Sequence, residues 1–198
     1  RSMVRFYKNQ RINVNPKLGA TIDNIGPKLM LRNYLSIRRN RKNADRFEYS
    51  ALGGLDKFAY LPLQVQPEAV TDVMAPFFNN QLEFARLVAQ SMPGDMKLVV
   101  KDHPAMFGMR SRKFLEKLVR TPNVAVLDSR EPSDSIMRKA KMIVSIGGTS
   151  TIEAAFFNLP VILFGNLGLA QLMPNTFIHS DMPSLSTKIL EVQKLMET

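Results

Sequence analysis

Two short stretches hold most of the side chains that could do chemistry: Lys101-Asp102-His103-Pro104 and Gly147-Gly148-Thr149-Ser150-Thr151. In the second, two glycines permit a positive φ or a close backbone approach, and three hydroxyl residues follow at the start of a helical pattern. A helix start carries unpaired N–H groups and a partial positive charge, so such a turn can seat a phosphate without a Lys or Arg. The same residues would equally serve as a plain helix cap, with Thr149 or Ser150 as the N-cap. In the first stretch, Pro104 restricts His103 to extended backbone and so fixes the direction of its imidazole. Its chemistry would be hydrogen bonding or charge pairing to phosphate oxygens as a leaving group departs, which makes it the catalytic candidate. Lys101 would assist there or stand as a strand-end charge.

Other polar residues have two readings each. Glu153, on the first turn of the helix, either complements the helix dipole or accepts the hydroxyls of a ribose. Gln64 and Glu68 flank Gln66 and Pro67 and would meet an acceptor or simply make a polar turn. The run at 128–134, DSREPSD, could cradle a base through backbone groups, and ordinary turn chemistry explains it as well. His179 lacks comparable company and reads as structural. With two histidines, no cysteine and no paired-Asp motif, neither a metal site nor a cofactor is expected. P-loop, GxSxG and GxGxxG motifs are absent.

The elements that must position these residues alternate from Lys57 onward. Short apolar runs at 58–63, 96–101, 124–127, 142–146 and 161–164 read as strands buried on both faces. Between and after them, helices are expected at 77–92, 108–120, 133–139 with Ser133 as cap, from 151, and at 185–196. This predicts an α/β fold, a Rossmann-like parallel sheet with helices on both faces, over residues 56–198. Such sheets bind ligands at the carboxyl ends of their strands. On that rim the pattern places Gln64, Glu68, Asp102, His103, Asp128, residues 147–150 and residues 165–166.

Residues 1–55 form a basic arm. The first 48 residues carry 12 of the 27 Lys and Arg against three acidic side chains, so +9 of the net +10 lies there. A loose helical pattern at 27–43 ends in Arg38-Arg39-Asn40-Arg41-Lys42. That helix would be a solvated face or a peripheral attachment to an anionic membrane; no interleaved aromatic platform supports nucleic acid as a partner. No apolar run is long enough to span a bilayer and no signal peptide is evident, so the expected location is cytoplasmic, at the inner face of the membrane. Residue 1 is Arg, which suggests a fragment of a longer protein.

The segments PLQVQPE (62–68), NNQLEFARLVAQSMP (79–93), LVVKDHP (98–104), RSRKFLEKLVRTPNVAVLD (110–128) and SIGGTSTIEAAFFNLPVILFG (145–165) resemble the capsule polysaccharide biosynthesis and export family. That family includes bacterial Kdo transferases acting on CMP-Kdo and resembles the nucleotide-binding half of GT-B glycosyltransferases. The resemblance implies a nucleotide-sugar donor as substrate and a glycan or glycolipid acceptor. It places His103, Pro104, Thr149 and Ser150 on the donor phosphate, and Glu153 on the ribose or nucleotide. Lys101, Gly147, Gly148, Thr151, Gln64 and Glu68 complete the expected binding set. Related GT-B-like readings are a nucleotide-sugar epimerase or a polyol-phosphate transferase; a non-catalytic module of an export assembly is the third alternative. A complete GT-B enzyme has two Rossmann-like domains, and only one fits here, so the arm is expected to be a linker or a remnant of the other half.

Overall fold

The structure is a computed structural model that describes residues 27–68, 70–165 and 168–197. Its centre is a sheet of six parallel strands: β1 (Phe58–Pro62), β2 (Lys97–Lys101), β3 (Val124–Leu127), β4 (Met142–Ser145), β5 (Val161–Leu163) and β6 (Thr176–Ile178). Their order is β3-β2-β1-β4-β5-β6. The helices are α1 (Pro27–Asp45), α2 (Gln81–Ser91), α3 (Arg112–Val119), α4 (Ser133–Met137), α5 (Thr149–Phe156) and α6 (Leu185–Glu197). Alternate strand residues divide between two cores, as the period of two requires. Ala59, Leu61, Leu98, Val100 and Val144 meet Phe84 and Val88 of α2, Leu118 of α3 and Ile189 of α6. Phe58, Tyr60, Val99, Ile143 and Leu163 face the other way, onto Ile136 and Met137 of α4 and Ala154 of α5. The chain reverses its winding between β1 and β4, and that switch point opens a crevice at the strands' carboxyl ends.

The expected Rossmann-like sheet is therefore present, with local corrections. A sixth strand, β6, was not expected; at three residues on an edge it is too short to show a period. The helix expected from residue 77 begins at Gln81, because Pro76–Phe78 form a separate 3-10 turn and the Asn80 side chain accepts from the N–H of Glu83. The helix expected from 108 begins at Arg112: Gly108 has φ +81°, and Ser111 caps through a bond from the N–H of Phe114. Ser133 is the first residue of α4 and not its cap, which is Pro132. Neither Thr149 nor Ser150 caps α5; that position is Gly148, with no side-chain bond.

The first 26 residues of the basic arm lie outside the described residues. The described part ends docked on the sheet. Ala44 is buried, Tyr49 and Leu52 pack against the cores, and the N–H of Ser50 donates to the carbonyl of Val126 on the edge strand β3 at 2.9 Å. Arg130 holds this junction, bonding Asp45 at 2.9 Å and Asp128 at 2.6 Å while its guanidinium lies 4.7 Å from the Phe107 ring centre. The hydrogen bond from Arg130 holds the Asp128 carboxyl below the ordinary carboxylate value, against the opposing effect of burial. A depressed folded value stabilises above the unfolded value, and that contribution is lost as pH falls through the folded one. Urea unfolding should therefore show wild-type stability declining as pH drops below the ordinary aspartate range. Arg130→Met should flatten that decline and begin from a lower midpoint at neutral pH.

Candidate functional site

The crevice at the switch point is a cleft of about 600 Å³. Its floor and walls come from the ends of β1, β2 and β4, the start of α5, and the 3-10 turn Gly168–Leu172. At its centre is the glycine turn after β4. Gly148 takes φ +94° and ψ 173°, and a Cβ there would lie 2.6 Å from the Gln64 side-chain oxygen, so only glycine fits. The carbonyls of the turn are satisfied from behind. That of Gly147 accepts from the Ser145 hydroxyl and from the Gln64 amide, both at 2.7 Å, and that of Gly148 accepts from the Thr151 hydroxyl at 2.6 Å. The Ser145 oxygen in turn accepts from the N–H of Gly147 at 3.0 Å. Among the described residues the N–H groups of Thr149 and Ser150 have no protein acceptor, and they head an eight-residue helix at the cleft wall. Unpaired backbone donors at a helix start are the chemistry that suits an anion.

His103 stands opposite, at the end of β2, exposed and lining the cleft. Its Nδ1 accepts from the N–H of Ala105 at 3.1 Å, capping the turn Pro104–Met106. An accepting Nδ1 leaves the proton on Nε2, so the imidazole presents a donor to the cleft. Behind it, Asp102 accepts from the N–H of His103 at 3.0 Å and from Arg110 Nε at 3.1 Å. Arg110 also donates to Gln66 Oε1 and to the Gln64 carbonyl, each at 3.0 Å. One guanidinium thus ties the loop after β1 to the loop after β2. Burial pushes the Asp102 carboxyl above its ordinary value, and the adjacent Arg110 opposes the shift.

On the α4 and α5 side the cleft is lined by Tyr60, Lys101, Ser133, Ile152 and Glu153. The Lys101 ammonium donates to the Glu131 carbonyl at 3.0 Å and to the Ser133 hydroxyl at 2.8 Å. Burial lowers the Lys101 pKa, while Glu131 and Glu153 act to raise it. Burial also raises the Tyr60 phenol, partly offset by its bond with Ser133.

Nine of the eleven residues expected from sequence line this one cleft: Gln64, Glu68, Lys101, His103, Pro104, Gly148, Thr149, Ser150 and Glu153. Gly147 and Thr151 stand behind the wall and shape it. Gln64, read as an acceptor contact or a polar turn residue, is buried with its amide engaged by the Gly147 carbonyl, and its backbone is bonded on both sides by Gln81. Arg110, Ser145 and Gln81 went unread in the sequence. A buried Asp102 beside His103 demands a cation, but the run Arg110-Ser111-Arg112-Lys113 offers three. The 128–134 loop contributes Ser133 to the cleft. Among the described residues no group of three His, Cys, Asp or Glu side chains could hold a metal ion.

A family model described as capsule polysaccharide biosynthesis protein matches residues 20–168. The chain belongs to that family. In fold it is similar to the UDP-GlcNAc 2-epimerase of Methanocaldococcus jannaschii, solved with UDP-GlcNAc and UDP, at 13% identity and a TM-score of 0.51, covering 83% of this chain and 45% of that one. The similarity is to one Rossmann-like half of a GT-B architecture. Lower TM-scores relate it to the UDP-GlcNAc 2-epimerase of Neisseria meningitidis (0.49; 14% identity; 85% and 44% covered) and to the beta Kdo 2,7 transferase KpsC of Thermosulfurimonas dismutans (0.48; 14%; 88% and 64%). The chain thus spans about half the length of these structures. No curated protein matches it in sequence.

The glycine turn gives a direct test. Gly148→Ala should cost about 1–3 kcal/mol through the left-handed φ alone, with more from displacement of Gln64. Chemical denaturation should show that loss, and amide exchange should show faster exchange at Gly147, whose N–H is bonded to Ser145.

Proposed function

We propose that this chain is the donor-holding half of a glycosyltransferase of bacterial capsule or surface polysaccharide synthesis. Its substrate is a nucleotide sugar, with a CMP-Kdo type of donor favoured, and its acceptor a glycan or glycolipid hydroxyl. The observation that carries this reading is the pairing of backbone donors at Thr149 and Ser150 with the His103 Nε2–H across one cleft of a capsule-family chain.

In the reaction the acceptor hydroxyl oxygen bonds to the anomeric carbon, giving up its proton to water, as the bond from that carbon to the donor phosphate oxygen breaks. The electron pair stays on the phosphate, so negative charge grows where the N–H groups and His103 point. Donors fixed before the reaction need not reorient, and removing one such group from an active site costs about 10²–10³ in kcat. His103 donates and does not abstract, because its Nδ1 is already bonded to Ala105. Pro104 and the Asp102 carboxylate hold it in place.

The exposed end of α1 supports a second part of the reading, attachment at the inner face of an anionic cytoplasmic membrane. Leu31, Tyr34 and Leu35 are exposed on the same helix as Arg38, Arg39 and Lys42. Among the described residues no helix is long and apolar enough to cross a membrane.

Thermal unfolding with CMP and with UDP tests the site. A bound nucleotide at about 100 times its Kd should stabilise by about 2.7 kcal/mol. His103→Ala and His103→Asn should lose most of that gain, since Asn retains the cap to Ala105 but not the ε donor, and His103→Gln should keep part of it. No shift of the wild type with any nucleotide would sink the reading. Product analysis with donor and acceptor should show a lengthened glycan; an epimerised donor instead would assign the cleft to epimerase chemistry. For the membrane, replacing Arg38, Arg39 and Lys42 with Gln should abolish sedimentation with phosphatidylglycerol vesicles at moderate salt, and unchanged sedimentation would refute the attachment.

A further inference from the structure

His103 is carried at one end of a series of overlapping turns. Its carbonyl accepts from the N–H of Met106 at 2.8 Å, the Pro104 carbonyl from the N–H of Phe107 at 3.1 Å, and the Met106 carbonyl from the N–H of Met109 at 2.8 Å. The imidazole itself is bonded to the N–H of Ala105. A shift at Phe107 or Gly108 is therefore passed along the backbone to the histidine.

The inner end of this unit is held by Asp102 and Arg110. Its outer end meets α1. A Cβ on Gly108 would overlap the side-chain carbons of Arg41, so the Arg41 stem lies directly on the glycine backbone. Arg130 places its guanidinium 4.7 Å from the centre of the Phe107 ring and bonds Asp45 of α1 at 2.9 Å. Ala44 of the same helix is buried and, with Asp102, Met106 and Ser129, lines a hollow of about 20 Å³ beside the turn. Side chains are fixed in place by close packing, and atoms bordering a void lack contacts on that side. Packing from within is incomplete here, and α1 supplies the second grip.

That grip contributes little to stability. The Arg130 and Asp45 side chains are 55% and 52% exposed, and an exposed pair adds little to the folding free energy. Asp45 also stands at the carboxyl end of α1, where a carboxylate opposes the helix dipole. An acidic residue that disfavours its own helix, yet bonds the cation lying on the His103 unit, is better accounted for by positioning than by stability.

We propose that Arg41 and Asp45 are positioning residues: α1 holds the outer end of the turn at 103–109 and through it sets where the His103 Nε2–H points in the cleft. This rests on the nucleotide reading of the cleft and adds to it a dependence of donor binding on a helix of which no described residue lines the cleft. The exposed Leu31, Tyr34 and Leu35 lie toward the other end of that helix, so whatever holds them bears on His103.

NMR of the imidazole rings in the full chain tests the positioning without a ligand, because the protein has two histidines and His179 serves as the internal reference. Asp45→Asn and Arg41→Ala should each shift or broaden the His103 ring signals and leave those of His179 unchanged. Arg41→Met keeps the stem without the charge and should give wild-type signals. Isothermal titration with CMP and with UDP should follow the same order. Affinity should fall roughly threefold to tenfold in Asp45→Asn and Arg41→Ala, part of what a bond to a charged group is worth, and stay within about twofold in Arg41→Met. Urea midpoints close to wild type in all three variants would show the fold intact. If the His103 signals do not move in Asp45→Asn and Arg41→Ala, if they move while affinity does not, or if Arg41→Met fails to restore them, positioning by α1 is overturned and the nucleotide reading stands. If neither CMP nor UDP binds wild type, the nucleotide reading fails, and the ring signals alone decide whether α1 sets the histidine.

Discussion

The glycine turn can leave the N–H groups of Thr149 and Ser150 unpaired at the cleft only because its own carbonyls are drawn away from it. A peptide plane that points its N–H into the cleft must point its C=O into the protein, where an unsatisfied oxygen costs about 1–3 kcal/mol. Ser145, Gln64 and Thr151 remove that cost by donating to Gly147 and Gly148 from behind. Ser145 is fully buried and Thr151 likewise, so neither hydroxyl is left to water. Gln64 reaches the turn from the neighbouring strand end, and Gln81 brackets its backbone in turn. The turn therefore depends on four elements at once: the end of β4, the loop after β1, the start of α2 and the first turn of α5.

The same logic extends one strand further. Asp102 and Arg110 are both largely buried, with side chains 11% exposed, and breaking such a pair from one side leaves an uncompensated charge. The pair need not add much net stability to be decisive in geometry. Arg110 fixes the distance between the loops that carry Gln64 and His103, and Asp102 fixes the backbone on which His103 is displayed. Parallel pairing of β2, β1 and β4 does the rest, bringing the three strand ends level at the switch point. A displacement of any one of them would move His103 relative to the glycine turn.

Much of this was legible in the residues. Fully buried strands leave continuous apolar runs, which is why five of the six were visible and why their carboxyl ends predicted a shared rim. Glycine pairs and His-Pro are local constraints on φ and ψ, readable without neighbours. What escaped were partnerships over long separations. Nothing in the spacing distinguishes Arg110 from Arg112, yet one ties two loops together and the other makes an exposed pair with Glu116. Ser145 reads as the end of a strand, and its bonds to Gly147 depend on a turn geometry that the sequence allows but does not require. Helix starts at Gln81 and Arg112 were set by the caps Asn80 and Ser111, which outweighed the apolar periodicity extending before them. The residues at 44–55, assigned to the arm by charge, supply Ala44 and Leu55 to the buried set, because net charge reports on surface side chains and not on the apolar ones between them.

Three departures from ordinary folding rules gather at the carboxyl end of the sheet. Gly148 adopts a conformation closed to other residues, α5 begins without a side-chain cap, and among the described residues Lys101 is buried without a carboxylate partner. The caps at Asn80 and Ser111, the alternating cores and the exposed ion pairs are conventional by comparison. Each departure has a cost. Glycine in place of a capping side chain forgoes roughly a few tenths of a kcal/mol, and a buried ammonium short of one acceptor keeps part of its desolvation penalty. At Gly148 the positive φ excludes the Ser, Thr, Asn or Asp that would cap α5, so the geometry of the turn and a side-chain cap compete for one position. The concentration of these departures where the strands end, on two sides of one cleft, sets this rim apart from the capped helix starts and exposed ion pairs of the surrounding surface.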